Sequence, residues 1–485
     1  MNDAGKKETH MSAITRRTFL AAATGFASMP AVQSALGAMP ASGEVDIAII
    51  GAGAAGIAAA RRVAAAGRRF VVLEAADRIG GRCITDTQTF GVPFDRGAHW
   101  IYTPETNPLY KLGGAAGLTL DRAPGDQHVR IGRRYAREGE LEDYLAGYVR
   151  AQRAIADAAR ARGDVAAAQV LPKDLGDWRA LIAFILGPLH TSHDLSRVSV
   201  DDLARAADRE TYAFCREGFG ALLASLAKSV PVERSTPVTR INWSGGLELE
   251  TPRGRVRAKA VIVTASTNFL ASDALVFRPA LPKRQLDAFK LLRLGSFERI
   301  ALDLSGNPLG LPKDELVFEK ADGPKTAALF ANVAGTTISQ VNVGGGFARD
   351  LSAGGEKALI DFAQDWLAGL YGSDIRKAVK KAVATQWDKS PWVLGASSAA
   401  APGGAGARRI LMEPLGGRIY FAGEAAHETL WGTVNGAWES GERAADAALR
   451  RFGPLKSAAP KSRPSRSGAP RRQPFVPHPQ PRRNP

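Results

Sequence analysis

Residues 45–83 read VDIAIIGAGAAGIAAARRVAAAGRRFVVLEAADRIGGRC, and the fold is decided there. An apolar run, Asp46 to Ile50, is followed at once by Gly51, Gly53 and Gly56, and then by an alanine-rich segment ending near Gly67. Short apolar run, glycines and alanines in that order predict strand, tight turn and helix. A second apolar run, Phe70 to Leu73, closes a βαβ unit and delivers Glu74 at its carboxyl end. That is close to the ~20-residue spacing expected of an acid that binds a ribose. Gly51 allows the turn, Gly53 leaves room for a pyrophosphate against the backbone, and Gly56 lets helix and strand pack closely. The helix begins at Ala54 and Ala55, whose free N–H groups and positive dipole end face the diphosphate. With strand, helix and acid all in place, a dinucleotide site is the reading, and a ligand-free glycine turn is its bland alternative.

At 485 residues and 45% hydrophobic, the chain can bury the core of two or three domains. The net charge of +16 resembles a nucleic-acid signature until it is located. Lys456, Lys461, Arg463, Arg466, Arg471, Arg472, Arg482 and Arg483 supply half of it from a Pro- and Ser-rich end without one acid. The charge is a property of a tail expected to be disordered, and no nucleic-acid partner is expected. Two cysteines, Cys83 and Cys215, are too few for a disulfide framework or a metal site, although a single bridge stays open.

At the other end, Thr15-Arg16-Arg17-Thr18-Phe19-Leu20 precedes a mildly apolar, Ala- and Gly-rich stretch up to Ala38. Paired arginines before a weak apolar segment mark a twin-arginine export signal, with cleavage expected near Ala38 to Ala41. Pro30 and the lack of sustained Leu, Ile and Val argue against a membrane span, which needs about 20 strongly apolar residues. The expectation is a periplasmic protein, exported already folded by the twin-arginine machinery.

After Glu74 the chain continues Ala75-Ala76-Asp77-Arg78-Ile79-Gly80-Gly81-Arg82. EAxDRxGGR in that place resembles the flavin-containing amine oxidase family of monoamine oxidases, polyamine oxidases, L-amino-acid oxidases and histone lysine demethylases. The resemblance implies FAD, with Gly80, Gly81 and Arg82 along its diphosphate. Phe94-Asp95-Arg96-Gly97-Ala98-His99-Trp100-Ile101 is similar to the family's DxGAxWI segment, which implies that Gly97, Ala98 and His99 run beside the flavin ring. Val238 stands where the backbone meets the adenine. Ala260 to Ala265 resembles the VIVTxP strand, with Ser266 for proline. Gly417 to Glu424 resembles the closing strand with its FAGE, implying that Gly423 and Glu424 meet the ribityl chain. Gly432-Thr433-Val434-Asn435-Gly436-Ala437 resembles the helix start aimed at the flavin, placing Thr433 and Val434 there.

The same resemblance locates departures. Leu294 to Ile300 is similar to LGxxxKV, whose lysine holds a water near flavin N5; this chain has Arg299, bulkier, always protonated and a natural partner for a carboxylate. Trp387 to Gly403 resembles WxxDPxxxGxYS, which puts Trp387 beside the cofactor and Ser397 at one wall of the family's aromatic cage. The second wall falls on Thr433. Ala396 occupies the position of the flavin-bound cysteine of some monoamine oxidases, implying noncovalent FAD. Tyr102 replaces the His or Glu of many polyamine oxidases, and Trp431 or Trp392 is available to rebuild an apolar wall.

The resemblance covers roughly Val45 to Arg451. It implies an α/β fold: a Rossmann-like FAD-binding domain, discontinuous in sequence, and an α+β substrate-binding domain. The expected order is signal 1–40, FAD domain 44–105, helical substrate part 106–214, FAD domain 215–275, substrate part 276–404, FAD domain 405–453 and tail 454–485. The implied activity is oxidation of a small amine or amino acid by hydride transfer from the carbon next to nitrogen, with oxygen or a periplasmic carrier as acceptor. Arg299 is the candidate catalytic residue, Tyr102, Ser397, Thr433 and Trp431 the pocket, and no metal is called for. Two other readings stay open: an oxidase or desaturase of C–C or C–O bonds, and an exported FAD-binding protein without turnover.

Overall fold

In the computed structural model, which describes residues 44–123, 127–161, 163–209 and 211–453, the opening unit is built as its sequence dictates. Strand Val45–Ile50 leads through the glycine turn to helix Ala54–Ala65 and then strand Phe70–Leu73. The two strands pair in parallel, Ile47 beside Phe70 and Ile50 beside Leu73. All six residues of the first strand are buried, as a continuous apolar run in a parallel sheet requires. The export motif and the basic tail lie outside the described residues.

This unit sits in an eight-stranded sheet ordered Val232–Glu233, Phe70–Leu73, Val45–Ile50, Gly254–Val263, Leu247–Thr251, Arg240–Asn242 and Val276–Arg278, with Ile419–Phe421 also paired to Gly254–Val263. Strands Arg240–Asn242, Leu247–Thr251 and Gly254–Val263, with Ser244-Gly245-Gly246 and Pro252-Arg253 between them, form an antiparallel meander. It is not a separate meander, because the end of its long strand pairs in parallel with Val45–Ile50 on one side and Ile419–Phe421 on the other. Three segments hundreds of residues apart thereby form one sheet.

On one face, Ile47 and Ile49 pack with helix Ala54–Ala65 and the closing helix Val434–Arg450; on the other, Ala48 and Ile50 join Val71, Val261 and Phe421. The two helices touch closely because Gly441 has no side chain. A Cβ there would lie 2.1 Å from the Ala55 carbonyl oxygen.

A second sheet has seven strands, ordered Val379–Ala384, Phe297–Leu304, Ile338–Gly344, Ala328–Ala331, Glu315–Glu319, Gln127–Ile131 and Arg134–Tyr135. Helix Glu356–Tyr371 covers Ile300, Leu302, Val341 and Val343, while Tyr144, Ala151 and Ile155 of helix Glu138–Ala158 pack with Val129, Phe318 and Ala328. Helix Arg179–Phe184 is continued by a π-helical turn, Ile185–Leu189, that contains Pro188. Proline has no N–H to donate, and a wider turn accommodates it. The expected domain edges at 105 and 214 both fall at a small three-stranded sheet, Trp100–Tyr102, Tyr212–Cys215 and Leu120–Arg122.

Ser199 caps helix Val200–Arg205 by accepting the Asp202 N–H at 3.0 Å. The Asp202 side chain does not return to the helix start. Its carboxylate instead takes Nε and Nη2 of Arg408 at 2.6 and 2.7 Å, in a pair that is almost wholly buried. The sequence places those partners 206 positions apart, where no local pattern could link them. Cys83 and Cys215 are both unbridged and buried, and burial pushes each thiol up to about 12. Among the described residues no helix is long and apolar enough to cross a membrane, and no cluster of three metal-ligating side chains occurs.

Two consequences can be measured. Gly441→Ala forces the helix pair apart and lowers the denaturant midpoint by the equivalent of about 1–3 kcal/mol; an unchanged midpoint would show that the contact is not tight. Arg408→Met strands the Asp202 charge and costs about 3–5 kcal/mol. Adding Asp202→Asn recovers part of that loss, whereas equal stability of single and double variants would dismiss the ion pair as the cause.

Candidate cofactor and substrate site

At the carboxyl ends of the parallel strands two glycine loops meet. Gly51 has φ +100°, open to glycine at little cost, and a Cβ there would strike Thr264 Oγ1 at 2.4 Å. Gly56 lies so close to Gly51 that a Cβ would come within 1.9 Å of its carbonyl oxygen. Gly53 pairs with Gly80, and a Cβ on Gly81 would stand 3.3 Å from the Gly53 Cα. Between these loops begins the twelve-residue helix Ala54–Ala65, with no side-chain cap and no acid in its first turn. The first N–H groups of such a helix have no partner within it and suit an anion. A cradle that side chains would fill, next to an uncapped helix start, fits the diphosphate of FAD.

Glu74 is buried beside this cradle. Its carboxylate accepts the N–H of Ala52 at 2.6 Å and of Ala76 at 2.8 Å. The N–H groups of Ser235 and Thr236 bond to the carbonyls of Ala76 and Glu74, which draws the segment leading to Val238 alongside. Val238 itself packs into the sheet core with Leu247 and Leu249.

The far end of the site is an ion-pair network. Arg82 Nη1 donates to the Ala396 carbonyl at 2.5 Å and to Glu424 Oε1 at 2.9 Å. Glu424 Oε2 accepts from Ser398 Oγ at 2.7 Å and from the Gly432 N–H at 2.9 Å. Burial works to raise the Glu424 pKa, but Arg82, the Ser398 hydroxyl and Arg408 outweigh it and hold the carboxyl below its usual value. Gly423 is fixed by Ser440 Oγ, which accepts its N–H at 2.8 Å. Val434 begins the closing helix.

Arg299 departs from expectation. It is 5% exposed, yet its guanidinium makes no bond to a carboxylate among the described residues. Nη1 donates to the carbonyls of Asp95 at 2.7 Å and Gly97 at 2.8 Å, and Nε to Asn342 Oδ1 at 3.1 Å. Asn342 is its direct cross-strand neighbour. Burial pulls the Arg299 pKa down to about 10, against the opposing influence of Asp95 and Tyr102. The side chain therefore ties the second sheet to the Asp95–Gly97 backbone. Gly97 is squeezed as well, since a Cβ there would stand 1.8 Å from the Arg82 carbonyl oxygen and 3.1 Å from the Trp387 ring. Trp387 Nε1 donates to the Arg96 carbonyl at 3.2 Å, and half-buried Ala98 donates its N–H to Arg82.

His99 turns its ring away into an aromatic cluster, stacked on Phe214 at 5.1 Å with Trp100 and Phe330 around it. Its Nδ1 lies 2.9 Å from Asp95 Oδ2, and its buried Nε2 has no partner. Burial keeps its pKa low despite Asp95.

The expected cage position Ser397 lies close to Gly432, the residue before Thr433. A Cβ on Gly432 would lie 3.5 Å from Ser397 Cβ. Ser397 Oγ is 2.8 Å from Ser192 Oγ, and Thr433 Oγ1 caps the closing helix by accepting the Gly436 N–H at 3.0 Å. Neither position is aromatic, and neither tryptophan rebuilds a wall. Trp431 is 0% exposed, its ring sandwiched between the guanidinium groups of Arg209 at 5.1 Å and Arg408 at 4.7 Å. Trp392 is 39% exposed at the surface against Phe269. Tyr102 is half-buried, with Arg209 over its ring at 5.6 Å. Arg209 and His190 join this group although neither stands in any motif; only tertiary packing brings them there.

Comparison with known proteins fits this geometry. The model of the family "Flavin containing amine oxidoreductase" matches residues 54–449. Polyamine oxidase 4 of Oryza sativa subsp. japonica is 27% identical over 469 residues, covering 88% of this chain and 92% of that protein. Human lysine-specific histone demethylase 2 is 26% identical over 447 residues, covering 82% of this chain and only 53% of the demethylase. Cyclohexylamine oxidase from Brevibacterium oxydans superimposes with a TM-score of 0.72 at 21% identity, over 84% of this chain and 100% of its own. Wild-type putrescine oxidase with bound putrescine does so with a TM-score of 0.72 at 19% identity, over 84% and 99%. Because the family match runs from the start of helix Ala54–Ala65 through the Arg299 strand and into the closing helix, the chain belongs to the flavin containing amine oxidoreductases and is an FAD-dependent oxidoreductase.

Proposed function

We propose that the protein oxidises a small amine or amino acid. The observation that carries this reading is the family match itself, which runs over residues 54–449, from the start of helix Ala54–Ala65 to the closing helix. The named activities of its relatives, on polyamines, putrescine and cyclohexylamine, support amine chemistry. When bound, FAD would supply two-electron chemistry for removing a hydride from the carbon next to nitrogen; water would then split the imine product into a carbonyl compound and ammonia or an amine, with oxygen as electron acceptor and hydrogen peroxide as its product.

The chain's own groups hold and shape. Gly51, Gly53, Gly56, Gly80 and Gly81 admit the diphosphate, the N–H groups of Ala54 and Ala55 and the charge of Arg82 favour its anion, and Glu74 receives the ribose. Glu424, kept ionised, and the start of helix Val434–Arg450 border the flavin. Arg299 acts as a positioning residue that holds the Asp95–Gly97 backbone, with Ala98 and His99, beside the ring. No side-chain base is required if the neutral amine reacts. Residues 44–105, 215–275 and 405–453 make up the FAD domain in this reading, and 106–214 and 276–404 the substrate domain. The Arg16-Arg17 motif supports export to the periplasm by the twin-arginine route, where a periplasmic carrier is the alternative to oxygen.

Anaerobic mixing of the holoenzyme with a panel of amines and amino acids is expected to bleach the oxidised flavin absorbance. Bleaching by apolar alicyclic compounds alone would replace amine chemistry with C–C or C–O oxidation. Gly53→Val fills the cradle and is expected to yield folded protein without bound flavin; retention of a full complement would place the diphosphate elsewhere. Arg299→Gln loses the fork that spans two carbonyls and is expected to slow flavin reduction by about 10–100-fold, since small misplacements carry costs of that order. Arg299→Lys restores part of the rate, and equal rates in all three proteins would remove Arg299 from the site.

A further inference from the structure

Arg209 is a half-buried cation for which no counter-ion occurs among the described residues. It lies between helix Val200–Arg205 and strand Tyr212–Cys215. Nη1 donates to the His190 carbonyl at 3.0 Å and Nη2 to the Trp431 carbonyl at 2.5 Å, both neutral acceptors. Its flat faces meet the rings of Trp431 and Tyr102. The carboxylates whose charge reaches it, Glu424 and Asp202, are already engaged, Glu424 by Arg82 at 2.9 Å and Asp202 by Arg408 at 2.6 Å. Arg408 adds a second positive charge nearby, and no ion pair of Arg209 occurs among the described residues. Burial lowers its pKa, and burial likewise brings the neighbouring His190 down to about 4, so that ring adds no charge at neutral pH.

Taking a charge out of water without a partner is costly, and stacking on rings and two carbonyl bonds offsets only part of that cost. Arg209 is only half-buried as a residue, as are Tyr102, His190, Ser397 and Gly432. Its Nη2 would stand 3.8 Å from a Cβ on Gly432, which in turn would lie 3.5 Å from Ser397 Cβ. The free charge thus stands beside the two positions that lack rings. Apolar cage walls would favour an uncharged substrate body, whereas a serine, a helix cap and a guanidinium favour an anion.

We propose that Arg209 forms an anion subsite of the substrate pocket and binds a carboxylate carried close to the reacting amine, so that the substrate is an amino acid and not a simple amine or polyamine. This rests on the amine-oxidation reading above. The guanidinium's planar fork suits a carboxylate, and a polycation would meet like charge.

Matched pairs test it on the wild-type holoenzyme: L-phenylalanine against 2-phenylethylamine, and L-lysine against cadaverine. Anaerobic flavin reduction is expected to favour the carboxylated member of at least one pair by about 30-fold or more, as loss of one partner from a buried charge pair implies. Benzoate, an anion that cannot be oxidised, is expected to perturb the oxidised flavin spectrum. Its affinity falls by about 30-fold in Arg209→Gln, with Arg209→Lys intermediate. Reduction by the amines as fast as or faster than by their carboxylated partners overturns the anion subsite and leaves amine oxidation standing. Reduction by no member of any pair or of the wider panel overturns both. Benzoate binding that is undiminished in a folded, flavin-loaded Arg209→Gln protein places the anion elsewhere. If that variant does not fold, the wild-type pairs still decide.

Discussion

The Arg82–Glu424 ion pair is the constraint on which the rest of the site depends. Its two members lie 342 positions apart, one just after the opening glycine loops and the other just before the closing helix. Around it gather the Ala396 carbonyl, the Ser398 hydroxyl and the Gly432 N–H. Glu424 is buried and Arg82 partly exposed, and a pair so placed persists only if its remaining hydrogen-bonding capacity is satisfied, as three further groups do here. That satisfaction brings together the end of the glycine cradle, the strip with one cage position and the turn that carries the other.

Two other buried guanidinium groups extend the same logic in different directions. Arg408 is fully paired with Asp202 and locks the helix Val200–Arg205 to the closing half of the chain. Arg299 replaces a carboxylate by two main-chain carbonyls and an asparagine, and so acts as a strut between the second sheet and the Asp95–Gly97 backbone. Trp431, which from sequence alone could have been a pocket wall, is instead the spacer between Arg408 and Arg209. Of these two cations, Arg209 is the one for which no counter-ion occurs among the described residues.

Much of the fold was legible in short patterns. The glycine spacing, the buried apolar strands and the acid at the end of Phe70–Leu73 depend on neighbours a few residues away, and local rules describe them well. The helix Phe219–Leu226 behind its positive-φ Gly218 and the cap at Ser199 were legible for the same reason. The π-helical turn at Pro188, the diversion of Asp202 to Arg408 and the outward place of Trp392 were not. The last two are settled by partners remote in sequence, and at Pro188 the missing N–H announces a disruption but not the wider turn that absorbs it.

By itself the sequence determined the cofactor half-site, because a pyrophosphate is held by backbone geometry, and backbone geometry at glycine is written locally. What bounds the substrate was decided only by tertiary structure. Arg209, His190, Ser397 and Gly432 come from separate segments, and their charge, exposure and partners exist only once the chain has brought them together. A guanidinium in a sequence is one cation among many; with its neighbours' carboxylates already taken, it becomes a reason to expect an anion.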